Sequence, residues 1–174
     1  MLSNKELGAK IRADIKAAGI PARAVSVRVS DAGYETAVRV KIKDINVDRA
    51  VVERVAKRYS EVDRDERSGE ILAGGNTFVF VDYDYDVLKN ATEQYLEQAQ
   101  AVIDSVKEPC VGVDAATRPD GSRLVYFHHA PNSSYNSAEI YGKGGDHYYE
   151  NRHAAYNAYA LAQAIALFNA VGHF

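Results

Sequence analysis

His128, His129, His147 and His153 fall in the C-terminal third of the chain, and imidazole is a common ligand for zinc and iron. Glu150-Asn151-Arg152-His153 has the Glu-x-x-His spacing that sets both side chains on one face of a helix in di-iron proteins. The motif occurs once, whereas a di-iron site uses two copies and further glutamates, so hydrogen-bonded or exposed histidines are the default. A histidine-based metal-dependent enzyme remains one alternative. Asp82, Asp84 and Asp86 alternate with Tyr83 and Tyr85. A strand persisting through them would project all three carboxylates to one side, about 7 Å apart. Such a row can hold a hard cation or imitate phosphates to a basic protein. Asp63, Asp65 and Gly69 do not follow the calcium-loop order, in which glycine takes the sixth position. Cys110 follows Pro109 without a local signature, Ser133 and Ser134 lack a nucleophile elbow, and Gly74-Gly75-Asn76 leads into a strand rather than a helix. No catalytic residue and no cofactor is assigned, and the chain reads as a non-enzyme.

Binding chemistry is better represented. The net charge of −3 conceals a division in which residues 1–62 carry +5, residues 63–120 carry −8 and residues 121–174 are balanced. Such asymmetry bears on partners rather than on fold. The acidic stretch supplies Asp63, Asp65, Glu66, Glu70, Asp82, Asp84 and Asp86 as partner-binding candidates. Six of the twelve tyrosines lie in 132–159, including Tyr135, Tyr141, Tyr148 and Tyr149, spaced by serine, asparagine and glycine. That is the composition of an adaptable protein-binding loop. Arg28, Arg39, Lys41 and Lys43, with Arg23 nearby, could instead track a phosphate backbone in DNA or RNA, although an exposed strand face is charged in any case.

The elements that position these residues follow from periodicity. Ser3 and Glu6 form a capping box, Leu7, Ile11, Ile15 and Ala18 follow at helical spacing, and Gly19 with Pro21 ends the element, predicting a helix over 4–18. Val25, Val27 and Val29, then Val38, Val40 and Ile42, alternate with polar residues about a glycine-bearing turn, which makes a hairpin. Asn46 or Asp48 can cap a second helix ending near Ser60, and residues 61–76 read as an exposed, mobile acidic loop before a strand over 77–85. One long helix is expected over 87–106, stopped by Pro109, and a second hairpin over 111–128. Residues 129–152 read as a long polar loop with one short strand around 138–141.

The last element, expected from about Glu150 to Val171, repeats alanine at Ala154, Ala158, Ala162, Ala166 and Ala170, a smooth ridge that admits a close helix neighbour. Its lack of a polar face makes it either a core helix or a homodimer helix. It is too short and too rich in amides for a membrane span. The order of elements predicts an α+β fold, a mainly antiparallel sheet of two hairpins plus a strand, packed by three amphipathic helices and the alanine-rich helix. The length of 174 residues predicts a single domain, read as segments 20–86, 87–128 and 129–174. One cysteine and a charged amphipathic N-terminus point to the cytoplasm.

Residues 20–86, roughly two-fifths of the chain, resemble a large polyvalent protein-associated domain of phage and mobile-element proteins, the twenty-ninth of that series. The resemblance rests on Val25-Ser26-Val27-Arg28, on Tyr34 to Lys43 ending in Ile42-Lys43-Asp44, and on Asp63-Arg64-Asp65-Glu66 through Gly69-Glu70-Ile71-Leu72, Gly74-Gly75-Asn76-Thr77 and Phe80-Val81. It implies a counter-defence protein in the host bacterial cell, similar to type II anti-CRISPR inhibitors. The implied partner is an RNA-guided CRISPR nuclease or another host defence protein, and no catalytic residue comes with the resemblance. An acidic segment suits the basic channel in which such nucleases hold a heteroduplex. The competing expectation is a dimeric nucleic-acid-binding accessory protein that uses the basic hairpin.

Overall fold

The computed structural model describes residues 2–129, 136–145 and 147–174, with the backbone alone for 147–151. The chain forms two compact units, Met1–Asp84 and Tyr85–Phe174, where length alone suggests one domain. Each is a sheet with helices against it, so the α+β class holds, but there are two sheets rather than one.

In the first unit, α1 (Asn4–Ala17) begins at the capping box: Ser3 Oγ accepts from the Glu6 amide and the Glu6 carboxylate accepts from the Ser3 amide. Antiparallel β1 (Val25–Ala32) and β2 (Glu35–Ile42) turn at Gly33, whose φ of +68° suits glycine. Helix α2 (Arg49–Ala56) is capped by Asp48, which accepts from the Ala50 amide at 2.7 Å. It carries the chain across to β3 (Thr77–Tyr83), which therefore pairs parallel to β2. The sheet order is β1-β2-β3. Ile11 and Ile15 of α1 and Val52 and Val55 of α2 pack on Val25, Val27, Val38, Val40, Ile42 and Val81, so both helices cover one face. Tyr59, donating to the Asp14 carboxylate, ties the end of the second helical segment to α1, and burial with that carboxylate pushes its phenol up to about 12.

In the second unit, the expected helix over 87–106 is broken into α3 (Tyr85–Glu93) and α4 (Leu96–Ser105). The fully buried Thr92 donates its hydroxyl to the Leu88 carbonyl at 2.7 Å, the kind of back-bond that bends a helix, and Tyr95 then restarts the next one. Strands β4 (Gly112–Thr117), β5 (Arg123–His128), β6 (Asn136–Tyr141) and β7 (His147–Ala154) form an antiparallel sheet in chain order. The stretch expected as a loop with one short strand thus contains two. Rather than remaining irregular, β6 pairs with β5 and β7 pairs with β6, with a register shift between Glu139 and Tyr141.

Helix α5 (Ala158–Val171) starts well after Glu150, where Asn157 caps the Ala160 amide at 2.9 Å. Ala154 therefore belongs to β7 and not to the alanine ridge. Leu161, Ala162, Ile165 and Phe168 lie in the unit's own core with Leu124, Tyr126, Ala138 and Ile140, and Ala166 is also buried. Ala158 and Ala170 are half-buried. The small side chains serve close packing inside the monomer, which leaves Ala162 and Ala166 without free surface for a second copy.

Candidate functional site

The outward face of the first sheet is built by strand alternation. Every second residue of β1, β2 and β3 points into the core, which leaves Ser26, Arg28 and Ser30, then Ala37, Arg39 and Lys41, then Phe78, Phe80 and Asp82 on the other side. Register sorts these into rows across the sheet: Arg28, Arg39 and Phe80; Ser26, Lys41 and Asp82; Ser30, Ala37 and Phe78. The Arg39 guanidinium lies 6.0 Å from the Phe80 ring centre, and Phe80 is 50% exposed. Lys41 sits 3.7 Å from Asp82. Lys43, whose amide donates to the Ala24 carbonyl, lies just beyond β2, and Arg23 sits in the turn of helix before β1; both are exposed. The hairpin residues do form one face, while the two phenylalanines were not anticipated. The signal was present in Phe78-Val79-Phe80-Val81, whose period of two puts both rings opposite the valines.

The acidic residues are divided. The strand stops at Tyr83, so Asp82 alone of the three aspartates is on it. Asp84 lies past its end, where its amide donates to the Ile42 carbonyl, and Asp86 is in the first turn of α3 in the other unit. The expected row of three carboxylates does not form, because its alternation ran across a strand end into a helix.

Loop 61–76, expected to be mobile, is instead pinned. Asn76, 1% exposed, donates from Nδ2 to the Leu72 carbonyl at 2.6 Å and to Glu35 Oε1 at 3.1 Å, and its Oδ1 accepts from the Asp63 amide at 2.7 Å. Glu35 also accepts from the Gly74 and Asn76 amides, and these bonds, led by that of Gly74, hold its carboxyl below the usual range. Asp65 spends its carboxylate on the amides of Arg67 and Ser68, which lowers its pKa likewise. Asp63, Glu66 and Glu70 remain exposed on this ordered loop.

In the second unit, the face of the sheet away from α5 carries a polar cluster. Ser137 Oγ lies 3.0 Å from His129 Nε2 and donates to the buried Glu139 carboxylate at 2.9 Å. Arg152 reaches Glu139 at 3.1 Å and the same His129 nitrogen at 3.1 Å. A hydroxyl beside an imidazole is half of a nucleophile and base pair. Here the carboxylate addresses the hydroxyl and the arginine takes the imidazole nitrogen, so the order of a catalytic triad is not formed. The cluster joins β5, β6 and β7 by charge-assisted bonds. Period-two spacing of Ser137 and Glu139 is visible in the sequence, but their meeting with His129 and Arg152 depends on the strand pairing.

Residues 150–153 are strand rather than helix, so the Glu-x-x-His spacing loses its geometric basis. His128 ends β5 opposite Asn136, and His153 packs at 5.2 Å from the Phe174 ring. Among the described residues no three of His, Cys, Asp and Glu come together as a metal site would require. Tyr141 is half-buried, 6.3 Å from the Phe127 ring. Tyr135 lies outside the described residues, as do the side chains of His147, Tyr148 and Tyr149.

Burial holds the His153 pKa below its ordinary 6.5. The unfolded chain therefore binds a proton near pH 6.5 that the folded chain resists. Stability is expected to be constant above that pH and to decline as the pH falls below it. Urea unfolding between pH 7.5 and 5 is expected to show a flatter profile for His153→Phe, as checked by the midpoint at each pH.

Among the described residues no helix is long and apolar enough to cross a membrane. Compared with family models, curated proteins and solved structures, the chain gives no match.

Proposed function

We propose that this chain is a counter-defence protein of phage or mobile-element type, a non-catalytic, stoichiometric inhibitor that binds an RNA-guided type II CRISPR nuclease in the bacterial cytoplasm and blocks nucleic-acid recognition or cleavage. The likeness of residues 20–86 to the phage and mobile-element domain motivates the reading. The observation that carries it is the ordered acidic loop. Asn76 and Glu35 hold the backbone of loop 61–76 at residues 63, 72, 74 and 76, so Asp63, Glu66 and Glu70 are displayed with less backbone ordering left to lose on binding. Carboxylates carried on a backbone held in this way complement the basic surface that cradles guide and target.

The test is cleavage of target DNA by the purified nuclease and guide, with the protein added beforehand. Inhibition is expected near one protein per nuclease. Asp63→Asn with Glu66→Gln and Glu70→Gln is expected to raise the half-inhibitory concentration by about tenfold in low salt, with a smaller difference in high salt. Equal potency of this variant would exclude the acidic loop as the contact, and neither inhibition nor co-elution would end the inhibitor reading.

A nucleic-acid-binding accessory protein is the second reading. One observation favours it: β3 places two phenylalanines beside the arginines of the hairpin.

A further inference from the structure

The open face of the first sheet combines features that a merely solvated face has no reason to keep together. Arg28 and Arg39 stand directly opposite each other on neighbouring strands, and like charges in that position are destabilising. Both are exposed, and among the described residues no carboxylate forms an ion pair with either. The only acidic side chain in the three rows, Asp82, is engaged with Lys41. Beside the two arginines, at the end of the same row, Phe80 shows half of its surface to water although a threonine or lysine would serve an exposed strand position. Phe78 lies two residues away on the same face. A ligand that relieves both costs must bring negative charge to the arginines and a flat apolar surface to the ring.

A peptide of acidic residues alone supplies the first without the second. Duplex DNA supplies the phosphates but keeps its base faces inside the stack. A single strand offers both at once, since unstacked bases lie on aromatic side chains and guanidinium planes while a basic surface follows the backbone. We infer that this face binds single-stranded nucleic acid, with a base stacked on Phe80 next to Arg39 and the adjoining phosphates on Arg28 and Arg39. Among the described residues α1 and α2 pack on the opposite face of this three-stranded sheet, and Arg28, Arg39 and Phe80 stay exposed on this one. The inference rests on the second reading of function and is independent of the inhibitor reading.

Fluorescence polarisation of the full chain with labelled oligo-dT and oligo-rU of about 15 nucleotides, and with a duplex of the same length, tests it. The single strands are expected to bind more tightly than the duplex, and Phe80→Ala and Phe80→Leu are each expected to weaken them about tenfold. Leucine keeps an apolar side chain and loses the ring face, so an equal loss in both variants marks stacking. Arg28→Gln with Arg39→Gln should weaken binding and flatten its salt dependence. Lys5→Ala, on α1, should leave it unchanged, and circular dichroism of each variant checks folding. Duplex binding that is as tight and indifferent to Phe80 would keep the nucleic-acid reading and overturn the single-strand platform. Polyglutamate binding with no oligonucleotide binding would overturn both in favour of an acidic protein ligand. An absence of any binding would also overturn both.

Discussion

Asn76→Ala is expected to destabilise the first unit by about 3 kcal/mol, because a buried amide side chain serves three separate partners there. Its loss leaves the Asp63 amide without an acceptor and the Leu72 carbonyl without that donor, and removes one of the bonds that fix Glu35. The tie between the loop and the start of β2 is weakened but not lost, since the backbone amides of Gly74 and Asn76 still donate to Glu35. Urea unfolding measures the loss, and hydrogen exchange locates it: the Asp63 amide should exchange far faster in the variant while core amides of α1 change only with global stability. Asn76→Asp separates geometry from charge. It keeps the acceptor for Asp63 but places a carboxylate oxygen where Nδ2 now donates to Leu72 and Glu35. At pH 7 the loss should be at least as large as with alanine. Two carboxylates in contact raise each other's pKa, and a protonated oxygen can again donate. The difference from the native chain should therefore shrink as the pH falls toward 4. A difference independent of pH would show that charge is not the cause. Glu35 has the opposite sign in the native chain: its folded pKa is lowered, so its contribution is present above the unfolded value and is lost as acid titrates it. The inhibition proposed for the acidic loop is expected to weaken in Asn76→Ala even though no acidic residue has been changed.

Arg118→Ala is expected to cost the second unit about 2–3 kcal/mol. Helix α5 has no basic residue in its own last turn, and its C-terminal carbonyls carry the negative end of the helix dipole. Arg118, from the turn between β4 and β5, donates from Nη1 to the carbonyls of Phe168 at 2.6 Å and Asn169 at 2.9 Å, with its guanidinium over the Phe168 ring. A single side chain thus closes the end of the central helix from another element. Arg118→Lys should recover part of the loss, since an ammonium keeps the charge but not the flat contact with the ring. Chemical denaturation followed by far-ultraviolet circular dichroism checks both. A loss no greater than that of an ordinary exposed substitution would show that the helix end is sufficiently capped by Gly172, whose φ of +87° already turns the chain back toward Phe168.

The local parts of this molecule were legible in its residues. Ser3 with Glu6 sets the start of α1, the spaced valines set the hairpin with its core and solvent faces, and the alanine-rich C-terminus is an enclosed helix, because each depends on neighbours within a few positions along the chain. The tertiary structure decided what depended on distant partners. Residues 147–154 become strand because β6 offers an edge to pair with, and Asp84 and Asp86 leave the line of Asp82 because the chain changes element there. Phe80 reaches Arg39, and Asn76 reaches Glu35, only through the parallel return of β3 along β2. Propensity and period act over one or two turns, whereas register brings together residues some forty positions apart, and it is register that composed both the aromatic-basic face and the anchored acidic loop.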